Sequence, residues 1–207
     1  MHKKMNWGDE NLMEEELKIK SEIRKRIKTN IAEKINILPL ESKWVCEKIL
    51  DSEEYKKADY IFAYMALNDE VDLSLLIQEA LSENKTVAIP KINRENMTMN
   101  FFHYYNQKSE TADGYCKIKE PVDDAKIIDI EKLQNHKVLI LVPGRAFTEE
   151  GGRLGRGKGF YDKYLAKLLS LISADNVFLL GVAFSCQIVK ELPLDNHDIL
   201  MNKVVHF

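Results

Sequence analysis

The sequence predicts an α/β protein, a single three-layer domain with an open, mostly parallel sheet and helices on both faces. Three observations carry that expectation. Short apolar runs at residues 60–65 (YIFAYM), 86–89 (TVAI), 137–142 (KVLILV) and 177–184 (VFLLGVAF) have the length and continuity of strands buried on both faces. Amphipathic stretches with helical spacing separate most of them, the alternation that builds parallel sheets. No repeat, low-complexity tract or Pro/Gly/Ser linker divides the 207 residues, which suffice for one full core.

Residues 1–10 carry little apolar content and read as a flexible N-terminus ahead of one domain over 11–207. From Leu12 a helix is predicted, because Ile19, Ile23, Ile27, Ile31 and Ile35 recur every four residues and form a broad apolar stripe. Pro39 closes that pattern. Residues 41–50 read as a second helix with Trp44, Val45 and Ile49 inward. After the strand at 60–65, residues 68–72 form a turn, and Asp72 can cap a helix over 73–81 by accepting from free backbone N–H groups. The strand at 86–89 ends at Pro90, and 97–103 alternates weakly as another strand. Residues 106–135 are polar and turn-rich around Asp113-Gly114 and Pro121, with a short helix at 130–134. The clearest strand, 137–142, leads to a glycine loop and a helix over 160–172 that gathers Tyr164, Leu165, Leu168, Leu169 and Ile172 on one side. A strand at 177–184, a short helix at 187–192 and a last strand at 203–206 complete the chain.

Composition narrows the function classes. Apolar residues are 45% and charged residues 30%, ordinary for a soluble globular protein. A net charge of −3 gives no global attraction to nucleic acid or acidic membranes, so an anion site must be a local concentration of positive charge. Cys46, Cys116 and Cys186 lie far apart, with no CxxC or His/Cys cluster, which argues against zinc and disulfide frameworks and for a reducing cytosol. No signal-peptide h-region opens the chain, and no run approaches the roughly 20 apolar residues of a membrane helix. The expectation is a cytoplasmic protein that binds neither nucleic acid nor membrane.

The local concentration exists. Five of the nine glycines fall between Gly151 and Gly159, interleaved with Arg153, Arg156 and Lys158. Glycine lets backbone approach a ligand closely. Successive N–H groups, with the free N–H ends of the following helix, make an anion-binding concavity. Three cations can then neutralise a polyphosphate, the arginines by bidentate contact. The bland alternative is a solvated turn. Residues 152–159 (GRLGRGKG) nearly match a Walker loop, but Gly159 stands where magnesium-holding Ser or Thr is needed. A metal would need another oxygen, and Asp162 is the nearest, its alternative role being favourable charge on a helix N-terminus.

The stretch VPGRAFTEEGGRLGRGKGFYDKYL is similar to the C-terminal signature of the 5-formyltetrahydrofolate cyclo-ligase family. The similarity extends from about residue 20 to 205, through KSEIRKRIK, YMALNDEVD, VAIPKI and LPLDNHD, and is poor over 105–135. The family's fold resembles that of ribose-5-phosphate isomerase and CoA transferases. The resemblance implies a cytosolic ligase converting 5-formyltetrahydrofolate, with or without a polyglutamate tail, to 5,10-methenyltetrahydrofolate with ATP and Mg²⁺, releasing ADP and phosphate. ATP would phosphorylate the formyl oxygen before N10 attacks the activated carbon.

Residue by residue, the resemblance implies ATP contacts at Lys20, Arg24, Arg153, Leu154, Gly155, Arg156, Gly157, Lys158, Gly159, Phe160 and Tyr161. Folate contacts are implied at Met65, Glu70, Arg156, Gly157, Lys158, Gly159 and Phe160. Arg156 and Lys158 would act in catalysis, and Asp162 and Asp198 would hold magnesium. Without the resemblance, Lys20 and Arg24 read as solvated helix surface, Glu70 as first-turn helix charge, Met65 as core and Asp198 as a turn cap. Three positions depart from the family pattern: Phe160 where tyrosine is common, Arg145 where a small or apolar residue is usual, and Asn202 where an acid is frequent. They bear on affinity and not on reaction class. A monomer is expected. The rivals are an ATP-independent sugar-phosphate or CoA-ester enzyme of related fold, and a non-catalytic anion- or nucleic-acid-binding protein; ATP dependence separates them.

Overall fold

The apolar runs pair side by side into one sheet. The computed structural model describes residues 7–105, 111–113, 119–122, 124–195 and 197–207. Six strands form the sheet: β1 (Tyr60–Phe62), β2 (Thr86–Asn93), β3 (Thr98–Tyr104), β6 (Val138–Pro143), β9 (Val177–Val182) and β10 (Lys203–Val205). Their order is β10-β9-β6-β1-β2-β3, and every neighbouring pair is parallel except the hairpin of β2 with β3. Two small antiparallel ribbons lie outside it, β4 (Thr111–Asp113) with β5 (Lys119–Pro121) and β7 (Ala146–Phe147) with β8 (Arg153–Leu154).

The two-residue period of the strands divides the core into two layers. Ile61, Val87, Ile89, Leu139 and Leu141 pack with residues of α1 (Trp7–Glu33), α2 (Leu38–Leu50), α3 (Glu53–Lys57) and α4 (Ser74–Ser82). Phe62, Ala88, Ile140 and Val142 pack with Leu165 and Leu168 of α5 (Phe160–Leu171) on the other face. The expected three-layer, mostly parallel architecture is therefore present. Each fully buried Ile or Leu contributes about 1.5–3 kcal/mol of apolar burial, which is what holds the layers together.

Several expected elements differ in detail. Helix α1 is described from Trp7 and not Leu12. Of the five isoleucines, Ile23, Ile27 and Ile31 are buried, whereas Ile19 is 42% exposed and Ile35, in the turn past the helix end at Glu33, is 53% exposed. A spacing of four overshoots the helical turn by about 40° per step, so Ile19 rotates away from the core. Pro39 lies in the first turn of α2, where its missing N–H costs nothing. Val45 and Ile49 are buried as expected, while Trp44 is partly exposed and stacks on Phe207 at 3.9 Å. Asp72 Oδ1 accepts from Ser74 N at 2.9 Å, at the start of α4.

Strand β2 continues through Pro90 to Asn93 instead of ending there. Ala88 O accepts from Ala63 N on the β1 side, and Pro90 points to that same side beyond the last residue paired with β1. Residues 130–133 form a 3-10 turn. The expected helix at 187–192 is replaced by a 3-10 turn at Ser185–Gln187 and a bridge from Ile188 to Phe147. Gly114, Cys116 and residues 1–6 lie outside the described residues. Among the described residues no helix is long and apolar enough to cross a membrane.

Candidate functional site

Strand order reverses at β1: α4 carries the chain from β1 to β2 on one side, and β6 later returns on the other. Open α/β sheets bind ligands in the crevice at the carboxyl ends of such strands. The loops leaving β1 and β6 meet there around a cavity of about 540 Å³. Residues 153–162 all line it, as do Lys20, Arg24, Met65, Glu70 and Asp198, so the structure brings every sequence-proposed site residue to one place.

The hairpin of β7 and β8 sets the loop. Its turn needs Gly151, at φ +92°, where an added Cβ would lie 2.2 Å from Met201 O. Met201 N donates to Gly151 O at 2.9 Å, which ties the turn to the chain before β10. Past β8 the loop rises to Gly159, the left-handed N-cap of α5 with φ 66°. Nothing lies within 4 Å of a Cβ built there, so backbone and helix N-terminus stay open to a ligand.

The cations along the loop are held differently. Arg153 is buried, donating from Nη1 to Pro143 O at 3.2 Å and from Nη2 to Asp162 Oδ1 at 2.6 Å. Arg156 donates from Nε and Nη2 to Glu70 Oε1, at 3.0 and 2.8 Å, and from Nη2 to Asp69 as well. Lys158 is exposed and, among the described residues, has no ion-pair partner. From α1, Arg24 Nε donates to Gly155 O at 2.9 Å, leaving both terminal nitrogens for a ligand beside Gly157. Lys20 is 8% exposed and paired with Asp195 and Glu16, each at 2.7 Å. Burial opposes its charge, but those two carboxylates outweigh burial and hold its pKa above the ordinary value.

The carboxylates also have assignments. Glu70 Oε2 accepts from Leu67 N at 3.0 Å, so Glu70 braces Arg156 and its own loop. Burial pushes Asp69 up, but Arg156 and Arg145 outweigh it and hold its carboxyl below the ordinary carboxylate value. A lowered folded-state pKa gives stability that is fully present above about pH 4 and lost as pH falls through the folded value. Asp69→Asn should therefore flatten the acid side of the melting-temperature profile between about pH 5 and 2. An unchanged acid side would contradict that linkage.

Asp162 and Asp198 line both this cavity and an adjoining one. Asp162 uses Oδ1 for Arg153, and Asp198 uses Oδ2 for Asp195 N at 2.8 Å, so each keeps one oxygen without a described contact. No group of three or more His, Cys, Asp or Glu suited to a metal occurs among the described residues. Two carboxylates still fit Mg²⁺, which characteristically combines one or two with substrate phosphates and water.

The other half of the cavity is apolar: Leu17, Tyr64, Met65, Pro90, Ile92 and Met99. Sequence reasoning reached only Met65 here. Leu17 stands three residues before Lys20 on the same helix face, a spacing that could have revealed it. Pro90 and Ile92 lie in the VAIPKI stretch, but nothing local marks them as lining. Tyr161 presents a buried hydroxyl without a partner among the described residues, and burial followed by the Glu70 charge pushes its pKa up. It stays a neutral donor at the cavity wall.

A parallel sheet with a cavity lined by both cations and apolar side chains defines an α/β protein for an anionic, partly apolar ligand. Comparison with known proteins narrows that class. The model of the 5-formyltetrahydrofolate cyclo-ligase family matches residues 14–206. A probable 5-formyltetrahydrofolate cyclo-ligase of Schizosaccharomyces pombe is 32% identical over 178 residues, 82% of this chain and 85% of that protein. The 5-formyltetrahydrofolate cyclo-ligase of Escherichia coli K12 is 32% identical over 148 residues, 72% and 78% of the two chains. The solved 5,10-methenyltetrahydrofolate synthetase of Aquifex aeolicus superposes with a TM-score of 0.69 at 31% identity, covering 90% of this chain and 88% of that one. The corresponding Mycoplasma pneumoniae structure, at 16% identity, shares the fold with a TM-score of 0.66. The chain belongs to the 5-formyltetrahydrofolate cyclo-ligase family, and is the cyclo-ligase that the resemblance implied.

Proposed function

We propose that this ligase closes 5-formyltetrahydrofolate, with or without a polyglutamate tail, to 5,10-methenyltetrahydrofolate, using ATP with Mg²⁺ and releasing ADP and phosphate. The observation that carries the proposal is one cavity lined both by a cluster of cations and by apolar side chains. A polyphosphate suits the first and a folate ring system the second.

In this reading Lys20, Arg24, Arg153, Arg156 and Lys158 receive the triphosphate, with the backbone from Leu154 to Gly159 and the start of α5, Phe160 and Tyr161. Met65, Glu70, Gly157 and Phe160 face the folate, and Tyr64, Pro90 and Ile92 extend that apolar surface. Asp162 and Asp198 hold Mg²⁺, which neutralises polyphosphate charge.

The chemistry then balances. The formyl oxygen takes the γ-phosphoryl group: an O–P bond forms, the bond to ADP breaks, and charge spreads over phosphoryl oxygens that Arg156 and Lys158 can meet. N10 attacks the activated carbon and loses its proton to solvent. The carbon–oxygen bond breaks, and the former formyl oxygen leaves as phosphate. An amide oxygen is a poor leaving group, whereas its phosphate ester is a good one. Monomeric action and a cytoplasmic setting belong to the same reading; the second rests on the spacing of the cysteines.

Purified protein with Mg²⁺, ATP and 5-formyltetrahydrofolate should form the methenyl product, followed by its absorbance, with one ADP per product. Product without ATP would favour an isomerase- or transferase-like reading. Salt-sensitive nucleic-acid binding with no turnover would favour a binding protein.

A further inference from the structure

Arg145, the cation that stands where the family pattern is small or apolar, has a partner in the structure. Its Nη1 donates to Asp69 Oδ2, while Asp69 Oδ1 accepts from Arg156 Nη2. We propose that Arg145 is a positioning residue for Arg156: by anchoring and neutralising Asp69 it keeps that carboxylate from drawing the Arg156 guanidinium and its positive field away from an anionic ligand. The inference rests on the ATP-dependent reading and deepens it.

Geometry supplies the first argument. Arg156 lines the cavity and commits Nε and Nη2 to carboxylates, so Nη1 is left without a partner among the described residues. The brace beneath it is rigid. Arg145 N donates to Leu154 O at 2.7 Å, across the hairpin that launches the loop. Gln187, 1% exposed, donates to Gly144 O at 2.8 Å and Arg145 O at 3.2 Å, and accepts from Phe184 N at 2.8 Å. Glu70 is pinned in turn by Leu67 N. A held guanidinium loses less freedom when phosphate arrives, the advantage of preorganised charge.

Charge supplies the second. Arg145 and Arg156 balance Asp69 and Glu70, two cations against two anions. Without Arg145, Arg156 would face two carboxylates alone and the cluster would carry a net negative charge beside the polyphosphate's place. The side chains of Arg145 and Glu70 are only 12% and 10% exposed, so water screens that charge poorly.

The test is kcat and KM for ATP at saturating folate, with ATP affinity by calorimetry and melting temperature, in R145M, R145K, D69N and R145M/D69N. R145M should lose between about 10- and 100-fold in kcat/KM for ATP, the scale of a misplaced group acting through another. R145K restores the charge and should recover most of that loss. R145M/D69N removes the uncompensated carboxylate and should lie closer to wild type than R145M. An unchanged R145M, or a double variant at least as impaired as R145M, overturns the proposal. Should R145M not fold, R145K and the double variant carry the test: both within about tenfold of wild type supports it, and both losing more overturns it. Wild-type turnover with an unaffected R145M sinks this inference alone. Absent wild-type turnover sinks the functional reading, while ATP affinities across the series still test the positioning.

Discussion

Replacing Lys158 with alanine is expected to lower kcat about 10²–10³-fold, the loss seen when one preorganised electrostatic donor is removed from a transition state. Lys20, Arg153 and Arg156 are each bound to carboxylates, so changing them leaves an unpaired partner and mixes catalysis with stability. Lys158 is exposed and has no ion-pair partner among the described residues, so its loss should leave the melting temperature nearly unchanged. Lys158→Arg keeps the charge but not the compact ammonium, and should recover part of the rate. An alanine variant as fast as wild type would remove Lys158 from the reaction.

Gly151→Ala is expected to destabilise the fold by about 2–6 kcal/mol, adding a strained backbone to an overpacked contact. The residue sits at φ +92°, and its Cβ would be 2.2 Å from Met201 O. Relief requires moving either the hairpin turn or the segment before β10, which Met201 N ties together through Gly151 O. Since the turn launches residues 152–159, ATP affinity should fall with stability. Urea unfolding measures the first effect. A change under about 1 kcal/mol would mean that the turn relaxes freely.

Much of this was legible in the sequence, and the reasons are local. Buried parallel strands read as continuous apolar runs, so β1, β6 and β9 were visible within a few residues, and their alternation with helices gave the layers. The glycine loop was legible because close approach and charge are both written in residue type. Pro90 misled because whether a strand tolerates proline depends on where its neighbour ends, a tertiary fact. The short pattern over 187–192 predicts a helix, but Gln187 spends its side chain holding Gly144 and Arg145. The apolar wall was mostly hidden for a related reason. Leu17, Tyr64, Pro90, Ile92 and Met99 come from four separate segments that only the fold assembles. Glu70 was expected at the folate, and the structure adds a duty as Arg156's partner. Lys20 likewise arrives already paired, with Asp195, which no local pattern singles out.

In the proposed reaction ATP activates the formyl oxygen in this cavity, and the same oxygen departs as phosphate. The direct measurement uses 5-formyltetrahydrofolate labelled with oxygen-18 in the formyl group, with Mg·ATP, and follows the label by mass spectrometry. The account predicts one labelled oxygen in inorganic phosphate for each methenyl product. Methenyl product accompanied by unlabelled phosphate would contradict it.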